Sequence, residues 1–579
     1  MRIGGTWARW LVPVLVLLLT LKTTWGLLGT FDVSFDDETI YLEAAHWAGK
    51  RFLPLADSSP LYPLWYRALS IIEPDTVRLY FLNWFVLTAS LPLLIYALAR
   101  RSGAPLAAAA FVAIAWSMSS AAMTWPFVSK FAALVLGLGA LAATAIRDRR
   151  LAVSVTVAAL ALTAYARAEL TMPSFAFAAV VAAFCALHVV KTLGGPASGL
   201  RRKERWRALF ALAICIGAPL GLRRIFGDPH QGGRAFFAFG QHYALNVVEA
   251  RRLAADPWTL WDRFAREAFP HATTISEALK ENPSAFLWHV RRNVKTLPHA
   301  IEQLLRSLGF VPDAIAESVH ALVVVVALGG GLALVLAVIL RRGRLDRRFV
   351  AWLPLLVIVA GTTAGSTLLI FPREHYLVPV CGLGLAALAG ACGSLRWPTV
   401  LRPRWWLRFP RMRRFMSSPL GRSRGIDTIG AVALVGALVL LLAALPTRRP
   451  TFPSLLAANG PPPPLVHENR RTIEVLRSLH LRGLVPILES DHSRGTYTEL
   501  DFVRVAQWEK FTTFWKFVHE RQIAVVVING RLYEDPRFKS DPEFLAFVDG
   551  TGEREDFEFI HVADTTVTLA VRKSVLARR

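Results

Sequence analysis

Residues 77–98 read Val77-Arg78-Leu79-Tyr80-Phe81-Leu82-Asn83-Trp84-Phe85-Val86-Leu87-Thr88-Ala89-Ser90-Leu91-Pro92-Leu93-Leu94-Ile95-Tyr96-Ala97-Leu98, and Arg100-Arg101 follow directly. A helix of about 20 apolar residues crosses the hydrocarbon core of a bilayer, because only a helix or a closed barrel satisfies its own backbone polar groups there. This run has that length, and it stops at paired arginines, the charge that gathers on the cytoplasmic side of a membrane.

The rest of the chain repeats the pattern. Of its 579 residues 54% are hydrophobic and only 19% charged, with a mean hydropathy of +0.40. That leaves too little polar surface for an ordinary soluble protein. The net charge of +24 suggests an anionic partner, but the arginines cluster in short segments between apolar blocks. Lipid headgroups are the partner this implies, not nucleic acid. Cys185, Cys215, Cys381 and Cys392 all lie within apolar stretches, where a thiol packs as a small hydrophobe, and show no disulfide or metal-thiolate spacing.

Eleven stretches qualify as spans: 10–28, 77–98, 104–121, 125–146, 151–166, 171–190, 208–222, 319–340, 349–370, 375–394 and 426–445. The first follows Arg2 and Arg9 and lacks a small-residue cleavage site, so it reads as a retained anchor with the N-terminus in the cytoplasm. Alternation from there puts every basic short loop, from Arg100-Arg101 to the 396–424 segment, on the cytoplasmic side. The long segments 29–76, 223–318 and 447–579 are then extracytoplasmic. Residues 1–446 form the membrane domain and 447–464 a Pro-rich linker, stiffened by Pro461 to Pro464. Residues 465–579 read as a small extracytoplasmic α/β domain, with strand-like runs at Val485–Leu488, Ile523–Ile528, Phe557–Val562 and Thr566–Val571. The expected fold class is an α-helical polytopic membrane protein of about eleven transmembrane helices, carrying that domain at its C-terminus.

The first outer segment carries the chemistry. It reads Phe35-Asp36-Asp37-Glu38-Thr39-Ile40-Tyr41, then an amphipathic stretch, then Asp57-Ser58-Ser59-Pro60-Leu61-Tyr62-Pro63. On its own an acidic triplet there suits a helix N-terminus, since carboxylates complement the helix dipole. Far along the chain, Phe371-Pro372-Arg373-Glu374-His375-Tyr376-Leu377-Val378-Pro379 sits at the outer end of a late span.

These elements together resemble the GT-C superfamily of membrane glycosyltransferases, particularly its protein O-mannosyltransferase and lipid A aminoarabinose transferase branch. Those enzymes carry an Asp-Glu pair after the first span, here Asp37-Glu38, then a helix containing a Tyr, here Tyr41. They also carry a Pro-Leu-Tyr turn, here Pro60-Leu61-Tyr62 with Ser59 where relatives usually have Pro, and a late Arg-x-x-Tyr-Leu-x-Pro signature, here from Arg373 to Pro379. The resemblance covers roughly residues 10 to 395. It implies a GT-C-like membrane domain in a bacterial inner membrane that transfers a sugar from a polyprenyl-phosphate-linked donor to an extracytoplasmic lipid, glycan or protein, with no tightly bound cofactor.

Such a phosphate leaves readily as an anion, so the leaving group needs cationic stabilisation, whereas the acceptor hydroxyl must lose a proton. One carboxylate then suffices for a single inverting displacement, unlike the carboxylate pair of glycosidases. By resemblance Asp37 is the base. Asp36 and Glu38 raise its pKa, orient it, or, in the case of the Asp37-Glu38 pair, help hold a divalent cation; the sequence leaves these roles open.

Arg373 is the candidate ligand of the donor phosphate, because a guanidinium matches phosphate geometry; interfacial snorkelling explains the same charge equally well. His375 adds a donor or packs against Tyr376. Lys130 lies about 8 Å along its span by helix rise, within snorkelling reach of the outer surface. Arg167 and Glu169 form a gate, a headgroup contact or, most simply, a local ion pair. His242 ends the aromatic run from Arg234 to Tyr243, where phenylalanines at helical spacing are more often interfacial anchors than a sugar platform. The rival reading is a lipid-linked sugar flippase or transporter, or a scaffold of a surface-polysaccharide assembly system. Against a transporter stand the lack of internal repeats and the position of the charges at the outer rim.

Overall fold

The structure, a computed structural model, describes residues 6–26, 38–48, 59–119, 122, 127–193, 199–229, 234–253, 255, 257–258, 260–305, 347–394, 421–444, 464–481, 485–489, 513–535, 538–552, 554 and 556–577. Among these, seven helices are long and apolar enough to cross a membrane, and two shorter apolar helices accompany them. The chain is a polytopic α-helical membrane protein with a small α/β unit near its C-terminus.

Ten of the eleven expected spans coincide with helices: α1 (Thr6–Thr24), α4 (Thr76–Arg101), α5 (Leu106–Met118), α6 (Phe127–Ala145), α7 (Arg149–Ala164), α8 (Thr171–Leu193), α9 (Gly199–Phe226), α14 (Arg347–Leu369), α15 (Val378–Ser394) and α16 (Gly421–Ala444). The expected span 319–340 lies outside the described residues. The central helix is α4, whose apolar window is 67% buried in protein, whereas that of α9 is 17% buried and presents its aliphatic side chains outward. Helix α7 is short and rich in Ala, and its Ser154, Thr156 and Thr163 are buried. Their hydroxyls donate to the carbonyls of Arg150, Val153 and Ala159, so an apolar environment meets no unpaired hydroxyl. Asp148 caps α7 by accepting from the amides of Arg150 and Leu151.

Two further groups of helices lie between spans in the sequence. Helices α2 (Glu38–Ala48) and α3 (Leu61–Leu69) follow α1. The segment after α9 forms α10 (Arg234–Arg251), α11 (Trp261–Ala268), α12 (Ile275–Glu281) and α13 (Pro283–Leu305). These four share an aromatic core of Phe239, Tyr243, Phe264, Phe269 and Phe286. Gly240 permits the approach of α11, since a Cβ there would stand 2.6 Å from the Trp261 ring.

The C-terminal unit holds a four-stranded sheet in the order β1-β2-β4-β3, with β1 (Ile487–Leu488) parallel to β2 (Val525–Ile528), and β2 and β3 (Phe557–His561) each antiparallel to β4 (Thr568–Arg572). Strand β2 is buried throughout and reads Val-Val-Val-Ile, as a strand covered on both faces does. Helix α17 (Pro464–Ser478) packs on this sheet through Leu476 and on the membrane helices through Ile473.

Gly139 lets α6 and α7 meet, because a Cβ there would fall 2.2 Å from that of Ala159. Gly139→Val is therefore expected to lower stability in detergent by about 1–3 kcal/mol through overpacking, while Gly436→Val, with open space around it, leaves it unchanged. Thermal unfolding of the two purified variants checks this, and equal shifts would contradict the packing described.

Candidate functional site

Glu38 opens α2, where the helix dipole favours an anion, but its side chain is removed from water. Its Oε2 accepts from the Tyr62 hydroxyl at 3.0 Å and the Tyr66 hydroxyl at 2.5 Å. The two tyrosines lie four residues apart on α3, so one face of that short helix aims both phenols at the carboxylate. The Tyr62 oxygen also accepts from Asn83 Nδ2 at 2.8 Å, and Asn83 Oδ1 accepts from Trp65 Nε1 at 2.7 Å. A buried polar chain thus ties α2 and α3 to the central helix α4. Burial, and next the charge of Glu38, hold both phenols well above the usual tyrosine range. Asp36 and Asp37 lie outside the described residues, immediately before this anchored carboxylate. Among the described residues no group of three His, Cys, Asp or Glu side chains gathers closely enough to hold a metal ion.

The turn between α7 and α8 meets the same region. The amide of Leu61, at the start of α3, donates to the carbonyl of Tyr165 at 3.2 Å. Arg167 pairs with Glu169, its Nε donating at 2.6 Å, and its Nη1 donates to Ser129 Oγ at 2.7 Å. Its guanidinium lies 4.7 Å over the ring of Tyr376, and Tyr41 is near enough to interact with its charge. Tyr41 also packs edge-on against Tyr62 at 5.0 Å, and the His375 ring meets Tyr376 at 4.3 Å. Residues some 330 positions apart, Tyr41 and Tyr376, therefore border one arginine.

Lys130 differs from the snorkelling expected of it. It is fully buried, and its Nζ donates to the carbonyl of Ala122 at 2.7 Å and lies 3.4 Å from Thr88 Oγ1. The reason is its setting: the helix bundle surrounds this side of α6 and offers oxygen ligands nearer than the surface.

Arg373 stands in the extended link between α14 and α15. Its guanidinium lies 5.1 Å over the ring of Trp258, and among the described residues no carboxylate pairs with it. Trp258 also meets the edge of His242 at 5.6 Å, and His242 stacks on Phe371 at 5.3 Å and 22°. The Nδ1 of His242 donates to the Ala238 carbonyl at 2.7 Å. Burial, then the neighbouring Arg373 charge, lower the pKa of His242 to about 3. Beside this link opens a cavity of about 410 Å³, lined by Glu249 of α10, Thr296, His299 and Ala300 of α13, and Phe371 to His375. That volume falls within the range of small-ligand sites, roughly 300–1,000 Å³.

Sequence reasoning passed over the residues that fix this link. His289 and Asn293 on α13 are buried with Asn246 of α10, which bonds both of them, and they in turn hydrogen-bond the carbonyls of Leu368, Leu369 and Ile370 at the end of α14. The available signal was polar residues four apart on aromatic, amphipathic helices, His242 with Asn246 and His289 with Asn293. Burial lowers the pKa of His289 to about 4.

Fold and site define a polytopic membrane protein with a cavity walled by an arginine and by helices α10 and α13. No family model matches the chain, and no curated protein does. Among solved structures, one similar to it is the crystal structure of ArnT from Cupriavidus metallidurans bound to undecaprenyl phosphate, with 13% identity, 98% of each chain covered and a TM-score of 0.34.

Removing the Glu38 acceptor leaves two buried phenols without their partner. Glu38→Ala is expected to lose on the order of 1–3 kcal/mol of stability, with Glu38→Gln retaining more of it because an amide oxygen still accepts. Denaturant titration in detergent separates them, and equal losses would discount the oxygen's role. His242 and His289 stay neutral in the fold, whereas unfolded imidazoles bind protons below about pH 6.5. Their contribution is therefore complete above that pH and declines as pH falls toward their folded values, about 3 and about 4. The double variant His242→Gln, His289→Gln should show a shallower loss of melting temperature between pH 6.5 and 4 than the parent; parallel curves would refute this.

Proposed function

We propose that the chain is a membrane glycosyltransferase that takes a sugar from a polyprenyl-phosphate-linked donor and gives it to an extracytoplasmic lipid, glycan or protein. The observation that carries this reading is Arg373. It walls the cavity, has no ion-pair partner among the described residues, and stands in the link that also brings Tyr376 under Arg167. Arg167 already spends its charge on Glu169, which leaves Arg373 better suited to an incoming phosphate.

In this reading the Asp37 carboxylate takes the acceptor's hydroxyl proton as the acceptor oxygen bonds to the anomeric carbon. The bond from that carbon to the phosphate oxygen breaks in the same displacement, inverting the centre, and the lipid phosphate departs as an anion. Arg373 stabilises the charge that grows on it, an interaction that favours the transition state over the ground state. Glu38, held by two phenols, fixes the start of α2 directly after Asp37. His375 lines the cavity with Arg373, Arg167 and Tyr41 stand beside its neighbour Tyr376, and Lys130 braces Ala122. The membrane is the bacterial inner membrane, with the C-terminal unit and the site on the outer face.

The test is sugar transfer by the purified protein in nanodiscs, using a panel of polyprenyl-phosphate sugars. Asp37→Asn should lower turnover by about 10²–10⁴-fold, the usual contribution of a general base. Arg373→Ala should lower it more than Arg373→Lys, since only a guanidinium offers two parallel donors. Turnover by Asp37→Asn equal to the parent would remove the base, and no transfer from any donor by the parent would remove the enzyme reading.

A further inference from the structure

The geometry assigns Asn246, His289 and Asn293 as positioning residues: a C-cap supplied to α14 by two neighbouring helices, which sets where Arg373 stands. The function of Arg373 as a phosphate ligand rests on the reading above; its placement by this cap does not.

A helix ends with carbonyls that no further turn can satisfy. Those of Leu368, Leu369 and Ile370 face protein, and each accepts from a side chain of α13. Asn293 Nδ2 donates to Leu368 at 2.9 Å and to Ile370 at 3.1 Å. His289 Nε2 reaches Leu369 at 3.2 Å and Ile370 at 3.0 Å. Carbonyls only accept, so Nε2 carries the ring proton and Nδ1 is left as the acceptor. Asn246 Nδ2 fills it at 2.9 Å and gives its second hydrogen to Asn293 Oδ1, also at 2.9 Å. Asn293 Nδ2 also lies 3.1 Å from His289 Nε2, and both nitrogens reach the Ile370 carbonyl, so the three side chains form one close cluster around the helix end.

The grip then continues along the chain. One turn before Asn246 on the same face of α10, His242 stacks on Phe371, the first residue past the capped carbonyls. Pro372 cannot extend the helix, and Arg373 follows in extended conformation. The link is thus held at 368–371 from α10 and α13, two residues short of the guanidinium. Those same helices supply Glu249, Thr296, His299 and Ala300 to the lining of the cavity, so cap and cavity share one scaffold.

The test uses the full chain in nanodiscs, with hydrogen exchange of peptides spanning 368–378 and affinity for farnesyl phosphate as the probe of Arg373. His289→Phe keeps the ring volume and removes both hydrogen-bonding atoms, while His289→Gln keeps a donor and an acceptor. His289→Phe and Asn293→Leu should speed exchange at 371–377 by about tenfold, as local opening of a capped segment does, with C-terminal peptides unchanged and His289→Gln near the parent. Asn246→Ala, which touches only side chains, gives a milder rise if the other variants fold poorly. His289→Phe should also weaken farnesyl phosphate binding about three- to tenfold, and do so only while Arg373 is present, since coupled residues are non-additive. Unchanged exchange in all three variants would overturn the cap. The same loss of affinity in an Arg373→Ala background would overturn its action through Arg373. A parent that does not bind farnesyl phosphate would instead remove the phosphate reading, leaving the cap to be judged by exchange.

Discussion

Away from water, each polar group has to find its partner in the protein, and this constraint shapes the region around the cavity and α2. It explains why α14 ends against asparagine and histidine side chains, why Glu38 sits under two phenols, and why Lys130 coordinates a carbonyl. Just past the C-terminus of α4, Trp352 Nε1 donates to Ser102 Oγ at 3.0 Å by the same logic. Apolar packing brings the helices together, but these pairings decide their registration, because a slip of one turn would strand several donors at once. The link bearing Arg373 inherits its position from them.

The membrane class was legible because span length and loop charge are properties of composition along the chain. The helices from α4 to α9 fall where apolar length and flanking arginines put them. The α/β unit was legible for a related reason, since runs such as Val525–Ile528 have no polar face to turn outward. Partnerships were not legible in the same way. Tyr62 and Tyr66 stand 24 and 28 residues from Glu38, and nothing local distinguishes a carboxylate that caps in water from one that is enclosed. Lys130 shows the converse: helix rise gave its depth, but not that neighbouring helices would meet its amine first.

The acidic triplet and the Arg-x-x-Tyr-Leu-x-Pro run were found by pattern, and the structure sets Glu38, Tyr41, Arg167, His375 and Tyr376 in one neighbourhood, with Arg373 in the adjoining link. The residues that orient that link were missed because an Asn on an aromatic helix reads as a weak helix former facing water. Their role depends on a carbonyl about 75 to 80 residues further along the chain. Contacts at that separation belong to tertiary packing.

Helix α17 is shared between two cores, with Ile473 among the membrane helices and Leu476 against the sheet. Arg477 also meets Asp75, the residue that caps α4, at 3.2 Å, and Glu468 accepts from Thr566 at 3.2 Å. A substitution that unseats α17 would therefore disturb both cores at once, since one helix belongs to each.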